Sequence, residues 1–572
     1  MSASFRVLGK NAQALFTLTA HRGDGMCLLA MDWKKGRPPK DFVGFAIEYK
    51  EPGGEKFFSL KNRLAFEEPE GAVNANTLST RLSPIQKFRW VHFPRNADMT
   101  GEFVYRVVPV FMNKLDELSY GEEQTVRIVL HRETHPGKLN VSFTRGFVSS
   151  QAFVDRFESK GAISTLIPSK SDEGLSFIPE HPDAAFAHEW MGFEARSVLL
   201  ETLDAAIKDK KAMVSVVAYE LNEPQILARL EKLGSRLRII IDDDGKHASA
   251  TSAESKAAKR LRASAGKGNV KRQHMGKLQH NKTIVVNGPK LQCVLCGSTN
   301  FSWRGLYVQS NNALVLRGKK AVARFEEAFA DYWGHPKAPF KKSASSMFTS
   351  IDMPGIDVSV GFAPFGAKNG MIDTIAADIA QKGTSSVMYS LAFLYQTPGA
   401  IAAALEKVTK SPKTFVYGIS DRKVGGGLDV QIPDGNIAPV YPEEISAFMP
   451  EPFNKESSGG AGVRMHHKFI VIDFDKPTAR VYLGSYNFSA AADGSNGENL
   501  VLIRDQRVAT SYMIEAIRMI DHYHFRIAQS NAITAVKKLV LKRPPRTTTE
   551  SPWWLEDYTI ARKIRDRKMF AE

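Results

Sequence analysis

Two short segments of this chain, QHNKTIVVN and MHHKFIVID, each set a histidine two residues before a lysine, at His280/Lys282 and His466/Lys468. In an extended strand the side-chain period is two, so each pair shares one face. Imidazole serves as nucleophile or as general acid near neutral pH. A neighbouring ammonium supplies positive charge to phosphoryl oxygens. Each segment runs on through an apolar stretch, TIVV or FIVI, that buries the strand and stiffens the pair.

A second block follows each motif, GSTNFSWRGLYVQSNN and GSYNFSAAADGSNGEN. Aligning Gly297 with Gly484 also sets Ser298 on Ser485, Asn300 on Asn487, Gln309 on Asn496, Asn311 on Glu498 and Asn312 on Asn499. Glycine lets a phosphate approach the backbone, and Ser and Asn add hydrogen-bond donors. Two such halves brought together form a phosphate clamp with one histidine on each side. That suits a two-step displacement: one imidazole attacks phosphorus, and the other protonates the leaving oxygen and then activates water. Two lysines and two asparagines neutralise the transition state, so no metal and no cofactor is expected. Asp242, Asp243 and Asp244 end a strand together and read as a strand end or helix cap rather than a cation site.

The elements that must carry these residues follow from hydrophobic patterning. Residues 1–142 read as short strands separated by turns, an all-β sandwich. From about 145, strands and helices alternate, which means α/β layering. Helices are expected at 186–208, 224–233, 253–265 and 321–333, and strands at 213–219, 237–241, 282–286, 292–296 and 312–316. After a Ser/Pro-rich join the order returns, with strands at 386–391, 414–417, 468–472, 479–483 and 499–503. The expected division is 1–142, 145–340, 350–535 and a basic tail, 536–572, docked through Trp553 and Trp554. Residues 433–462 read as a long loop, either one bordering the site or a disordered insertion.

The net charge of +16 and the 43% hydrophobic content describe a folded, basic protein suited to polyanions. Lys and Arg crowd residues 256–277, just before His280, and recur at 537–546. Phe301, Trp303 and Tyr307 are placed either to stack on bases or to fill a core. The segment AFMPEPF (447–453) offers apolar contact to a bilayer. The cysteines Cys27, Cys293 and Cys296 form no disulfide framework, and the last two read as buried strand thiols. No secretory signal or membrane-spanning stretch is visible, so a cytoplasmic protein is expected.

The paired motifs resemble those of the phospholipase D superfamily, H-x-K-x4-D followed by G-S-x-N, over residues 145–535. His466, Lys468 and Asp473 match in full, whereas Asn287 stands where the first aspartate is expected. The resemblance implies two pseudo-symmetric α-β-α halves forming one catalytic unit, with metal-independent turnover through a phosphohistidine. The second half keeps acids at Asp473 and Glu498; the first has amides at Asn287 and Asn311. Family members with such a split use the first histidine as nucleophile. The resemblance therefore assigns His280 as nucleophile and His466 as general acid/base, with Lys282, Lys468, Asn300, Asn487 and Glu498 completing the catalytic set. Asp473, Ser298, Ser485, Gln309 and Asn311 support it. GEFVYRVVPV, in the N-terminal region, is similar to the tyrosine-bearing strand of fibronectin type III or immunoglobulin-like modules; what such a module would bind is open. The family includes nucleases, phospholipases and phosphatidyl transferases. The basic runs favour a nuclease acting on DNA or RNA, with anionic membrane lipid as the alternative and a degenerate nucleic-acid binder as the third reading.

Overall fold

The structure, a computed structural model, describes the chain apart from residues 1–3, 68–77, 95, 131, 147–152, 154–155, 393–396, 398, 421–464 and 535–539, and the side chains of 163 and 523–534. The 433–462 loop and the 447–453 segment lie outside the described residues. The chain divides into two compact units, one built from Met1–Arg132 and Thr510–Glu572 and the other from residues within 133–509.

In the first unit, strands β1 (Arg6–Leu8), β2 (Phe16–Arg22), β3 (Cys27–Trp33) and β6 (Arg89–His92) form one sheet. Strands β4 (Phe42–Lys50), β5 (Phe58–Ser59), β7 (Glu102–Met112), β8 (Leu118–Tyr120) and β9 (Gln124–Val129) form another. In β9 buried and exposed residues alternate, which fits a strand with one face on a core. Phe16, Leu18 and Met31 of one sheet and Phe45, Ile47 and Tyr105 of the other share a single apolar cluster. Trp554 and Tyr558 are buried in it, and the indole N–H groups of Trp553 and Trp554 donate to the carbonyls of Phe42 (3.0 Å) and Pro39 (3.2 Å). Arg543 and Arg546 both pair with Asp116.

Among the described residues the second unit holds two seven-stranded sheets. One runs β10 (Leu139–Phe143), β16 (Asn312–Arg317), β15 (Gln292–Gly297), β14 (Lys282–Asn287), β11 (Met213–Ala218), β12 (Leu237–Ile241) and β13 (Val270–Arg272). The other runs β17 (Thr349–Met353), β18 (Ile356–Ala363), β23 (Glu498–Arg504), β22 (Arg480–Gly484), β21 (Lys468–Ile472), β19 (Ser386–Leu391) and β20 (Phe415–Ile419). The run β16-β15-β14-β11-β12 of the first sheet matches β23-β22-β21-β19-β20 of the second strand for strand, and in both the motif strands β14 and β21 lie between an antiparallel neighbour and the first strand of a parallel pair. Leu139–Phe143 pairs with β16, so the first unit ends at Arg132 and not at 142.

Local signals explain the crossovers. Between β11 and β12, helix Pro224–Leu233 starts with Pro at its first turn, where the missing N–H costs nothing, and the Glu223 side chain accepts from the Ile226 N–H. Ile226, Leu227, Leu230 and Leu233 form its buried face, each worth about 1.5–3 kcal/mol on burial. Each sheet has its own core, one containing Val216, Ile284 and Leu295, the other Tyr389, Ile470 and Leu502. Cys293 and Cys296 are free buried thiols, pushed up to about 11 and about 12 by burial. Among the described residues no helix is long and apolar enough to cross a membrane.

Candidate active site

The two motifs meet. His280 and His466 are both buried, and their ring centroids are 6.4 Å apart. Neither histidine lies within its strand; each occupies the extended segment leading into Lys282 or Lys468. Each segment is held by a parallel bridge to the other half, Gln279 to Gly497 and Ser310 to Met465. The bridges carry main-chain hydrogen bonds, Gly497 N–H to Leu278 O at 2.8 Å and His466 N–H to Ser310 O at 3.1 Å. In both motifs the lysine ammonium turns back onto the carbonyl of its own histidine.

The bridges set each histidine against a side chain from the opposite half. His280 Nδ1 donates to Glu498 Oε2 at 2.9 Å, and His466 Nδ1 donates to Asn311 Oδ1 at 2.8 Å. These contacts fix the tautomers, leaving Nε2 of each ring for chemistry. Glu498 is itself held by the Ser485 hydroxyl (2.6 Å) and the Asn496 amide (3.1 Å). Asn311 is held in the same way: the Ser298 hydroxyl donates to its oxygen (2.9 Å), and its amide donates to Gly305 O (2.8 Å).

This corrects the roles expected for the G-S blocks. The Ser298 and Ser485 hydroxyl protons are committed to Asn311 and Glu498, so these serines orient the histidine partners rather than donate to a phosphate. Gly297 and Gly484 sit at φ +135° and +137°. A side chain there would collide with the carbonyl of Asn312 or Asn499, so the close approach these glycines permit is to a neighbouring strand. Asn300 and Asn487 keep amide oxygens without a hydrogen-bond partner. Gln309 is buried beside Asn311 in sequence, and its main-chain N–H donates to Arg304 O.

Asp473 touches neither histidine. It follows the far end of β21, where it accepts from the Ser385 N–H (2.7 Å), the Thr478 hydroxyl (3.0 Å) and Arg480 (3.2 Å). Burial pushes its carboxyl up, but these donors outweigh burial and hold it below the usual range. At the corresponding place Asn287 donates its amide to both oxygens of Glu326, at 3.1 and 3.0 Å. The aspartate position is thus a strand-end brace in both halves.

Burial dominates the electrostatics. It pushes the Glu498 carboxyl up to about 7, against the pull of Lys282, and the Lys282 ammonium down to about 7, against Glu498, Glu220 and Asp242. Lys468 is driven well below its ordinary range, first by burial and then by Lys282. His280 and His466 are also driven down, by burial and then by the two lysines. Lys468 Nζ lies 3.0 Å from His466 Nε2, within hydrogen-bond distance. An entering phosphodiester anion supplies the charge that returns the two lysines to their cationic forms.

Several contributors gave no signal in the motifs. Tyr219 lies edge-on to His280 (4.6 Å between centroids) and under the Lys282 ammonium (4.7 Å). Asn499 donates to Asn281 Oδ1 at 2.9 Å, a second link between the halves that the aligned Asn312/Asn499 pair hints at. Asp242 is fully buried and accepts the Gln279 N–H at 2.6 Å. Phe301, Trp303 and Tyr307 are buried in the core of the first sheet, which removes them as base-stacking platforms.

Two copies of one motif, crossed so that each half completes the other's histidine, place the chain in the phospholipase D superfamily, to which it belongs. The family model described as "Cardiolipin synthase, PLD-like domain" matches residues 203–333 and 384–520, one stretch for each motif. A phospholipase D from Rickettsia conorii is 50% identical over 48 residues, which are 8% of this chain and 22% of that protein. Another, from Rickettsia prowazekii, is 46% identical over 68 residues, 12% of this chain and 28% of that protein. The chain therefore spans less than a third of the length of these curated relatives. Among solved structures, phosphatidylserine synthase from Haemophilus influenzae aligns at 13% identity with a TM-score of 0.38, covering 66% of this chain and 93% of that one. Nuc from Salmonella typhimurium, a phospholipase D family member, aligns at 24% identity with a TM-score of 0.20, covering 25% of this chain and 88% of that one.

Proposed function

We propose that the protein is a metal-independent phosphodiesterase that cleaves nucleic-acid phosphodiesters through a phosphohistidine at His280. The observation that carries the assignment of roles is the unequal pairing of the two rings. A carboxylate, Glu498, stands behind His280, while only an amide, Asn311, stands behind His466. The carboxylate raises the nucleophilicity of Nε2 and stabilises the phosphoimidazolium that forms. In the first step His280 Nε2 forms a bond to phosphorus, the P–O bond to the leaving group breaks, and His466 Nε2 gives that oxygen its proton. In the second step water attacks phosphorus, His466 takes the water proton, and the N–P bond breaks. Lys282, Lys468, Asn300 and Asn487 face the phosphoryl oxygens in this reading.

The nucleic-acid substrate is supported by exposed cations on and after helix Ala253–Ala265: Lys256, Lys259, Arg262, Lys267 and Lys277. Lys277 is three residues from His280. A second reading, a phospholipase or phosphatidyl transferase, is favoured by the relatives named phospholipase D and by the cardiolipin synthase description of the family model. The two sheets with matching strand order are read as the halves of one duplicated unit. The first unit is read as a β-sandwich accessory module of the fibronectin type III or immunoglobulin-like kind. Three buried free cysteines favour a reducing compartment, hence the cytoplasm.

The test incubates the protein, in EDTA, with single- and double-stranded DNA, RNA and phospholipid vesicles. Nucleic-acid cleavage that is lost in both His280→Ala and His466→Ala, with binding that falls steeply as salt rises, supports the reading. Headgroup release from vesicles without nucleic-acid cleavage replaces it with the lipid reading.

A further inference from the structure

A second histidine–carboxylate pair lies behind the first motif. Asp242, at the end of β12, has no exposed side-chain surface. Its Oδ2 accepts from His247 Nδ1 at 2.8 Å and from the Asp244 N–H at 3.1 Å. Its Oδ1 accepts the Gln279 N–H, and Gln279 forms the bridge to Gly497 that sets His280 beside Glu498. The His247 ring packs against Tyr219 with centroids 4.7 Å apart, and His280 packs against the same tyrosine at 4.6 Å. One tyrosine therefore contacts both imidazoles.

We propose that Asp242 and His247 form a positioning couple for the nucleophile: Asp242 anchors the segment that carries His280, and His247, held by Asp242 and packed on the same tyrosine as His280, sets the charge beside that ring. The inference rests on the reading of His280 as nucleophile. The groups facing His247 are Asp242 on β12, Tyr219 and Glu220 after β11, Glu254 on helix Ala253–Ala265 and His280 itself, with Arg272 of β13 holding its carbonyl. Burial pushes His247 down, but the Asp242 hydrogen bond and the Glu254 and Glu220 carboxylates outweigh it and hold the ring above the ordinary imidazole range. Its charge in turn adds to the lysines that lower His280. A nucleophilic imidazole must be unprotonated at Nε2, so the direction favours attack.

The full chain, with 13C-labelled histidine rings, is titrated by NMR in three forms: wild type, His247→Gln and His247→Lys. His280 is expected to titrate at higher pH in His247→Gln, which keeps a donor to Asp242 but loses the charge. In His247→Lys, which keeps a charge, it is expected to stay near wild type. An unchanged His280 titration in His247→Gln overturns the inference, as does an equal rise in both variants. A parallel rate assay uses bis(p-nitrophenyl) phosphate in EDTA. There His247→Gln moves the acid limb of kcat/KM to higher pH, and Asp242→Asn lowers kcat by about tenfold to a hundredfold with little change in KM. Absence of any ester cleavage by the wild type rejects the phosphodiesterase reading, while the NMR titration still decides the couple.

Discussion

Glu498 Oε2 lies 2.9 Å from His280 Nδ1, across 218 residues of chain, and neither group is exposed enough for water to replace the other. A carboxylate that must be both acceptor and counter-charge cannot be replaced by an amide without cost. Glu498→Gln is expected to lower kcat by about 10²–10⁴-fold, with a smaller change in KM. Steady-state kinetics on a soluble phosphodiester checks this. The reciprocal change, Asn311→Asp, places a carboxylate behind His466 instead. It is expected to lower kcat as well, because a more basic His466 gives up its proton less readily.

The division of labour between the rings predicts a trapped intermediate. An ester with a good leaving group such as p-nitrophenol needs little protonation to depart, so His466→Ala still completes the first step. The second step lacks its base and slows by about 10²–10⁴-fold. A burst of about one p-nitrophenol per protein is expected, with a phosphoryl adduct on His280 detectable by mass spectrometry under alkaline quench. An adduct on another residue, or none, contradicts the assignment.

The pH dependence follows from two groups displaced toward each other. Burial raises Glu498 to about 7 and lowers Lys282 to about 7. Below that pH Glu498 gains a proton and His280 loses its counter-charge, so kcat/KM falls as pH drops. Above it Lys282 loses its proton in the free protein, so phosphate binding weakens as pH rises. The expected profile of kcat/KM is a narrow bell centred near 7. The profile of kcat is expected to be broader on the alkaline side, since a bound phosphate anion stabilises the Lys282 ammonium.

Much of this site was legible because the chain states it twice. The aligned blocks single out His280, Lys282, His466, Lys468 and Glu498 without any structure, whereas the crossing of Glu498 to His280 is implied only by the resemblance to the family. What the repeat leaves out is partnering. Sequence alone does not say that Ser298 and Ser485 spend their protons on Asn311 and Glu498, or that Gly297 and Gly484 face strand carbonyls. The rings of Phe301, Trp303 and Tyr307 follow a catalytic block yet point into the core, because an aromatic run has no period that separates the two fates. Leu139–Phe143 reads as one more β segment in an all-β region; only its pairing with β16 assigns it to the second unit. Asp242 and His247 act through main-chain and ring contacts, which leave no motif at all.

The departure at Asn287 makes the sharpest test of what the motif aspartate does. Asn287 donates both of its amide hydrogen bonds to the Glu326 carboxylate, which is only partly exposed. Restoring the family residue with Asn287→Asp removes that donor and sets two carboxylates face to face. The expected result is a loss of about 1–3 kcal/mol of stability, read by urea or thermal unfolding, with kcat changed less than about threefold in the folded protein. The double variant Asn287→Asp/Glu326→Gln restores a donor opposite an acceptor and is expected to recover most of that loss. A rise in kcat on Asn287→Asp would instead make the aspartate position catalytic, against the brace that Asp473 forms with Ser385, Thr478 and Arg480.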